Sequence, residues 1–129
     1  MNTVNFFYEL YSWFNTIADK EIAISNDAID YFFDPNFNMT VNGQNVVNSS
    51  QELSQHFQQI IQNTDDIELI MPFDDLIIAQ AKVILRYRIM QKNNQLITHV
   101  IGIYTLSPDG RARSKWELNY TLPQEGVES

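Results

Sequence analysis

From Thr3 to Asp19 apolar side chains return every three or four residues, and from Leu76 to Tyr120 they return every second residue. The first period is that of a helix with one buried face; the second is that of β-strands. On a helical wheel Trp13, Phe6, Ile17, Leu10, Phe14, Phe7, Ala18 and Tyr11 fill one arc, with Glu9, Ser12, Asn15, Thr16 and Asp19 opposite. Tyr11 lies at the edge of that arc, where its hydroxyl can turn into a cavity, whereas Tyr8 falls among the polar residues. A second helix is predicted over Ile24–Phe33, with Ile29, Phe32 and Phe33 on its apolar edge. Asp34-Pro35 stops it, because the residue before proline is pushed out of the α region. Phe37–Val41 alternates like a strand, Asn42-Gly43 is a two-residue hairpin signal, and Gln44–Asn48 returns. Ser49-Ser50-Gln51-Glu52 is a capping box that opens a third helix, running to Asn63 with Leu53, His56, Phe57, Ile60 and Ile61 on one side. A strand over Ile67–Met71 and a turn around Pro72–Asp75 lead into the long block.

That block reads as three strands, Leu76–Gln91, Leu96–Ser107 and Arg111–Leu122. Asn93-Asn94 suits a two-residue turn, which sets Arg88 opposite His99 and Tyr87 opposite Val100. Ser107-Pro108-Asp109-Gly110 reads as a type I turn closed by a glycine in the left-handed region, so Ser107 faces Arg111. Continued along the last strand, this register places Trp116 opposite Gly102, Leu118 opposite Val100 and Tyr120 opposite Thr98. One face then carries Leu85, Tyr87, Val100, Gly102, Tyr104, Trp116, Leu118 and Tyr120, with the indole over the glycine. The other carries Ile84, Arg86, Arg88, His99, Ile101, Ile103, Lys115 and Glu117, an apolar centre inside a polar rim. The first face is expected to meet the helices, and the second a second copy of the chain through Ile84, Arg86, Arg88, His99, Ile101, Ile103 and Glu117. A wet outer face with incidental isoleucines is the plain alternative.

Composition narrows the partners. The 129 residues suffice for one domain with a sizeable core. A net charge of −8 without a basic block argues against nucleic acid or an anionic membrane. The absence of cysteine removes disulfides, thiolate metal sites and a thiol nucleophile. The amino terminus carries Glu9 within its apolar run and no basic start, so no signal peptide is expected, nor a membrane span, and a cytoplasmic protein is the default expectation. No His, Asp or Glu spacing suggests a metal, and Asp65-Asp66 and Asp74-Asp75 fall at turns, where aspartate bonds local backbone. No cofactor is expected.

The order of elements, the Phe32–Phe37 passage into the first strand, the Asn42-Gly43 hairpin, the capped helix after Ser49 and the Asp109-Gly110 turn before Lys115-Trp116-Glu117 resemble the nuclear-transport-factor-two-like superfamily, also called SnoaL-like or ketosteroid-isomerase-like. The resemblance implies an α+β fold: a cone-shaped, curved mixed sheet wrapped around the amino-terminal helix, a cystatin-like α+β barrel with three helices and about six strands. The chain length suits one domain, expected over residues 1–123, and the tail over 124–129 has no apolar periodicity and is expected to be flexible. The resemblance also implies a pocket at the open end of the cone, and frequent dimers. In the isomerase pattern, Tyr11 and Asp19 match a helix tyrosine and an aspartate eight residues on, but the general-base position falls on Thr40, which cannot take a proton from carbon at neutral pH. The inner face derived above holds no carboxyl group. His99 falls on the outer face, so the remaining candidates for chemistry are Tyr11 and His56.

The expectation is therefore a small dimeric protein that binds an apolar or aromatic molecule in a pocket lined by Tyr11, Phe14, Met39, Phe57, Tyr87, Tyr104, Trp116 and Tyr120. An isomerase, cyclase or dehydratase acting on a polyketide- or steroid-like substrate, and a protein-interaction module, are the alternatives. The same fold carries unrelated activities, so the site must decide.

Overall fold

A computed structural model describes residues 2–18, 23–63, 66–93 and 95–122. The expectations placed on Asp19, Asp65, Asn94 and the tail 124–129 lie outside the described residues. The elements are α1 (Thr3–Ile17), α2 (Asn26–Phe32), β1 (Phe33–Val41), β2 (Gln44–Val47), α3 (Ser50–Asn63), β3 (Ile67–Leu69), β4 (Asp75–Ala79), β5 (Lys82–Gln91), β6 (Leu96–Leu106) and β7 (Ala112–Leu122).

Local chemistry sets most boundaries. The Asn2 side chain accepts from the Asn5 N–H at 3.1 Å and opens α1. Ser25 does the same for α2 through the Ala28 N–H, so this helix starts later than its apolar pattern suggests. It ends at Phe32, and Phe33 is already extended at φ −122°. The Arg111 guanidinium donates to the Asp30 and Phe33 carbonyls, tying that end down. At α3, Ser49 Oγ accepts from the Glu52 N–H at 3.1 Å, while the Glu52 carboxylate reaches the Asn48 N–H at 2.9 Å rather than that of Ser49. Asn42 and Gly43 take φ +50° and +86°, the paired left-handed residues of the expected hairpin.

The sheet has seven strands in the order β2-β1-β7-β6-β5-β3, with β4 also paired to β5. It is mixed and unclosed: β1 runs parallel to β7, and the other neighbours are antiparallel. β1 begins at Phe33, ahead of the expected Phe37, because Phe33 pairs with Ala112; Pro35 sits in the irregular stretch before pairing resumes at Asn38. Leu76–Gln91, read as one strand, is two. A tight turn at Gln80-Ala81, with Gln80 at φ +58°, folds β4 back on β5 so that Ala79 pairs with Lys82. Neither residue is a usual turn former, and the alternation passes through the turn undisturbed.

Between β5 and β6 the register is the expected one, with Arg88 opposite His99 and Tyr87 opposite Val100. The β6–β7 turn also forms as expected: the Ser107 N–H donates to the Arg111 carbonyl, and Gly110 takes φ +90°. The register beyond it does not follow. Leu106 pairs with Ala112 but Thr105 pairs with Ser114, so Arg113 is an extra residue in β7. One inserted residue moves every later side chain to the opposite face. Glu117 therefore stands opposite Gly102, Asn119 opposite Val100 and Thr121 opposite Thr98. Trp116, Leu118 and Tyr120 point outward and are exposed, while Lys115 is buried.

The core lies between α1 and the inner face of the sheet. Phe6, Phe7, Leu10, Tyr11 and Ile17 of α1 are buried. Phe7 packs on Tyr104 with ring centroids 4.9 Å apart, and Tyr11 packs on Tyr87 at 4.8 Å. Val83, Leu85 and Val100 complete the wall.

Leu85 is fully buried and Arg113 is exposed at the bulge. Leu85→Ala is expected to cost about 2–5 kcal/mol in urea unfolding. Arg113→Ala keeps the extra residue and is expected to stay within about 0.5 kcal/mol of the parent.

Candidate functional site

The helices do not fill the sheet's concavity. A cavity of about 380 Å³ remains among the second half of α1, β1, α3, β3 and the inner face of β5–β7. Its walls are mainly apolar: Phe14 and Ile17 from α1, Phe33, Phe37, Met39 and Val41 from β1, Leu53, Phe57, Ile60 and Ile61 from α3. The α3 residues recur at helical spacing, and His56 sits within their stripe, so this face carries an imidazole into the cavity.

The remaining polar lining is concentrated on β7. Lys115, Glu117 and Asn119 alternate along it and share its inner face. Lys115 Nζ lies 2.6 Å from Glu117 Oε1 and donates to the Tyr87 hydroxyl at 2.7 Å. The ammonium also stands 5.2 Å from the Tyr87 ring centroid and 5.4 Å from that of Tyr104. Asn119 Nδ2 donates to Glu117 Oε2 at 2.6 Å. Asn119 is held in turn by the hairpin, since its N–H donates to Asn42 Oδ1 at 2.9 Å. The Lys115 and Glu117 side chains are only 8% and 12% exposed, so neither charge is stabilised mainly by water.

Gly102 makes room for this arrangement. A Cβ there would lie 2.8 Å from Lys115 Cε, closer than such atoms approach. The missing side chain is filled by the lysine stem, the place the sequence had assigned to the Trp116 indole. Gly102→Ala therefore displaces a buried, hydrogen-bonded lysine rather than a free one.

Electrostatics follow from this packing. Burial acts to lower Lys115, but the adjacent Glu117 outweighs it, and the ammonium is held well above its ordinary value. Burial acts to raise Glu117, yet Lys115 and the Asn119 hydrogen bond leave it below the usual carboxylate range. Burial lowers His56; the Glu117 charge opposes that and the Lys115 charge adds to it. Tyr11, Tyr87 and Tyr104 are all pushed up by burial and stay protonated. Tyr11 and Tyr104 share a 2.7 Å hydrogen bond behind the cavity wall.

Among the residues expected to line a pocket, Phe14, Met39, Phe57, Tyr87 and Tyr104 come together around this cavity. Tyr11 does not line it: it is wholly buried beneath Tyr87 and Tyr104. Trp116 and Tyr120 lie on the opposite face, turned out by the extra residue at Arg113. Glu117, expected on the outer face, lines the cavity for the same reason. The inner face thus does hold a carboxyl group, contrary to the sequence reading. Thr40 pairs with Trp116 and is not part of the lining. Asp74 and Asp75 engage Arg88 and Arg86 rather than local backbone. Lys115, Glu117 and Asn119 were missed because burying charged residues runs against the hydrophobic count; the signal was their i, i+2 spacing, which puts opposite charges on one face.

Chemically, the site offers an apolar chamber with one polar pole. Its lysine is too firmly protonated to attack a carbonyl. Its carboxylate is a strong hydrogen-bond acceptor but a poor base. Among the described residues, no group of three or more His, Asp or Glu is gathered to hold a metal ion.

The pair also makes a stability prediction. Glu117 contributes above its unfolded value of 4.5, and that stability is lost as pH falls through its lower folded value. Lys115 contributes fully below 10.5, and its share is lost as pH rises through its higher folded value. Lys115→Met strands a buried carboxylate and is expected to cost about 3–5 kcal/mol. Lys115→Met with Glu117→Leu is expected to recover most of that, and to weaken the loss of stability below pH 4.5 expected for the parent, with urea unfolding across pH as the measurement.

No family model matches the sequence, and no curated protein matches it. Solved structures do. An NTF2-like protein of unknown function from an Exiguobacterium species superposes with a TM-score of 0.69 at 12% identity, over 92% of this chain and 98% of that one. A candidate isomerase of the SnoaL-like family from Agrobacterium tumefaciens gives 0.64 at 7% identity, over 73% and 79%. An LEH-like epoxide hydrolase from M. tuberculosis gives 0.58 at 11%, over 73% and 69%. At these identities the likeness is one of architecture, and three helices against a curved, unclosed mixed sheet of seven strands are the NTF2-like, or SnoaL-like, fold.

Proposed function

We propose that the chain is a small-molecule-binding protein that takes an apolar or aromatic ligand into the cavity and works as a homodimer. The observation that carries the binding reading is the chamber itself. Its volume of about 380 Å³ falls in the usual range of ligand pockets, roughly 300–1,000 Å³, and apolar walls with a few convergent polar groups are the usual chemistry of such pockets.

The dimer reading rests on the outer sheet face. Ile77, Ile84, Ile103 and Trp116 form one cross-strand row, and Arg86, Ile101 and Leu118 the next. Beyond them Arg88 adjoins His99, whose ring stacks on Tyr120 with centroids 5.1 Å apart. Ile77, Ile101, Trp116, Leu118 and Tyr120 are exposed. Such a contiguous apolar surface favours association. A second copy suits it on charge: the chain carries −8 overall, yet here Arg86 and Arg88 are balanced by Asp75 and Asp74, so two like faces can meet without strong repulsion.

A catalytic reading is favoured by one observation, the presence of His56 in the lining beside the Glu117 charge. An uncharged imidazole there could accept a proton, with Glu117 stabilising the cation formed. It ranks second because the pole already pairs its one carboxylate with a lysine.

A thermal-shift screen of polycyclic compounds tests binding: a ligand at 100 times its dissociation constant should add about 2.7 kcal/mol of stability. Val41→Trp, which fills the cavity from β1, should abolish the response while leaving circular dichroism unchanged. Hits recovered unaltered after incubation support binding, and their consumption would favour catalysis. An identical response in the parent and in Val41→Trp would place the ligand elsewhere.

Sedimentation tests assembly. The parent is expected to run as a dimer and Leu118→Arg as a folded monomer. A monomeric parent would remove the dimer and favour a different partner for this face.

A further inference from the structure

The cavity's polar pole is not a generic wet patch, and its open valences restrict what can dock there. Glu117 Oε1 takes the Lys115 ammonium and Oε2 takes the Asn119 amide. A carboxylate has about four acceptor sites, so these two contacts leave others open on a group that faces the cavity. The Tyr87 oxygen is engaged by Lys115. The lysine and glutamate charges cancel, so the pole carries no surplus charge for a charged ligand to neutralise. A carboxylate entering beside Glu117 would meet a like charge in an enclosed, poorly solvated space, and an ammonium would compete with Lys115 for the same oxygens. A bare carbonyl can take the third N–H of Lys115, whose other two go to Glu117 and Tyr87, but it leaves the open acceptor sites of Glu117 unused. A ligand O–H would fill one of them with a charge-assisted bond, stronger than a neutral one.

On the reading of the cavity as a ligand pocket, we propose that it selects uncharged ring compounds bearing a hydroxyl, a phenol or an alcohol, which donates to the Glu117 carboxylate while the rings lie against Phe14, Phe37 and Phe57. Glu117 is then a specificity-determining residue, and Lys115 positions it and keeps it ionised.

Titration calorimetry with four probes on one ring frame tests this: para-phenylphenol, para-methoxybiphenyl, biphenyl carboxylate and para-phenylbenzylamine. The phenol is expected to bind at least about tenfold more tightly than its methyl ether, which keeps the rings and the oxygen but loses the donor. It should exceed both charged probes by a similar or larger factor. In Glu117→Gln the preference for phenol over ether should collapse, and the carboxylate should gain, because Lys115 is left without its counter-charge. The ranking in the parent decides the matter even where that variant folds poorly. Equal affinity for phenol and ether, or tightest binding of the carboxylate, would overturn the hydroxyl selection and leave the ligand pocket standing. Failure of all four probes to bind would count against both.

Discussion

Lys115 and Glu117 can occupy the interior only together. Either charge alone in that enclosed space would carry a desolvation cost of several kcal/mol. At 2.6 Å, with Tyr87 and Asn119 taking further valences, the pair becomes a neutral unit that a protein wall can hold. Much of the surrounding structure serves this unit. Gly102 clears the path of the lysine stem, the Tyr87 hydroxyl accepts from the ammonium, the Tyr104 ring stands 5.4 Å from it, and the Asn42 hairpin grips Asn119 from the neighbouring strand. The polar pole is therefore braced by three adjacent strands, β5, β6 and β7, and by the turn between β1 and β2.

Its setting gives the pole its force. Apart from His56 and Asn15, the cavity elsewhere offers hydrocarbon and aromatic rings, against which a hydrogen bond to an ionised group counts for more than it would in water. The tyrosines behind the wall add firmness. Tyr11 and Tyr104 share one hydrogen bond, and burial keeps both protonated, so Tyr11 backs the wall from which Tyr104 meets the cavity.

Much of this was legible in the residues. The helix faces, the Ser49 cap, the Asn42-Gly43 hairpin, the β5–β6 register and the Ser107–Gly110 turn all follow from local chemistry, and local chemistry is what a sequence displays. Two features were hidden, and both are insertions into a regular alternation. The Gln80-Ala81 turn lacks glycine, asparagine or proline, and Ala79 and Lys82 continue the pattern across it. The bulge at Arg113 is equally silent, because β7 has two plausible phases. One buries Trp116, Leu118 and Tyr120, and the other buries Lys115, Glu117 and Asn119. Counting hydrophobic groups selects the first. The second is realised because its polar members satisfy each other, a pairwise property that no residue-by-residue scale contains.

That bulge links the two surfaces of β7 in a way that reaches beyond this fold's geometry. The strand's alternate residues serve different masters, a chamber on one side and an exposed apolar face on the other, and a single extra residue decides which set goes where. Loss of one codon at Arg113 would leave the turn intact yet swap indole for ammonium along the cavity wall. For a lineage built on this frame, a one-residue change of length in β7 therefore alters pocket chemistry and surface stickiness in one step and in opposite directions, whereas a substitution at Glu117 or Leu118 alters one face alone.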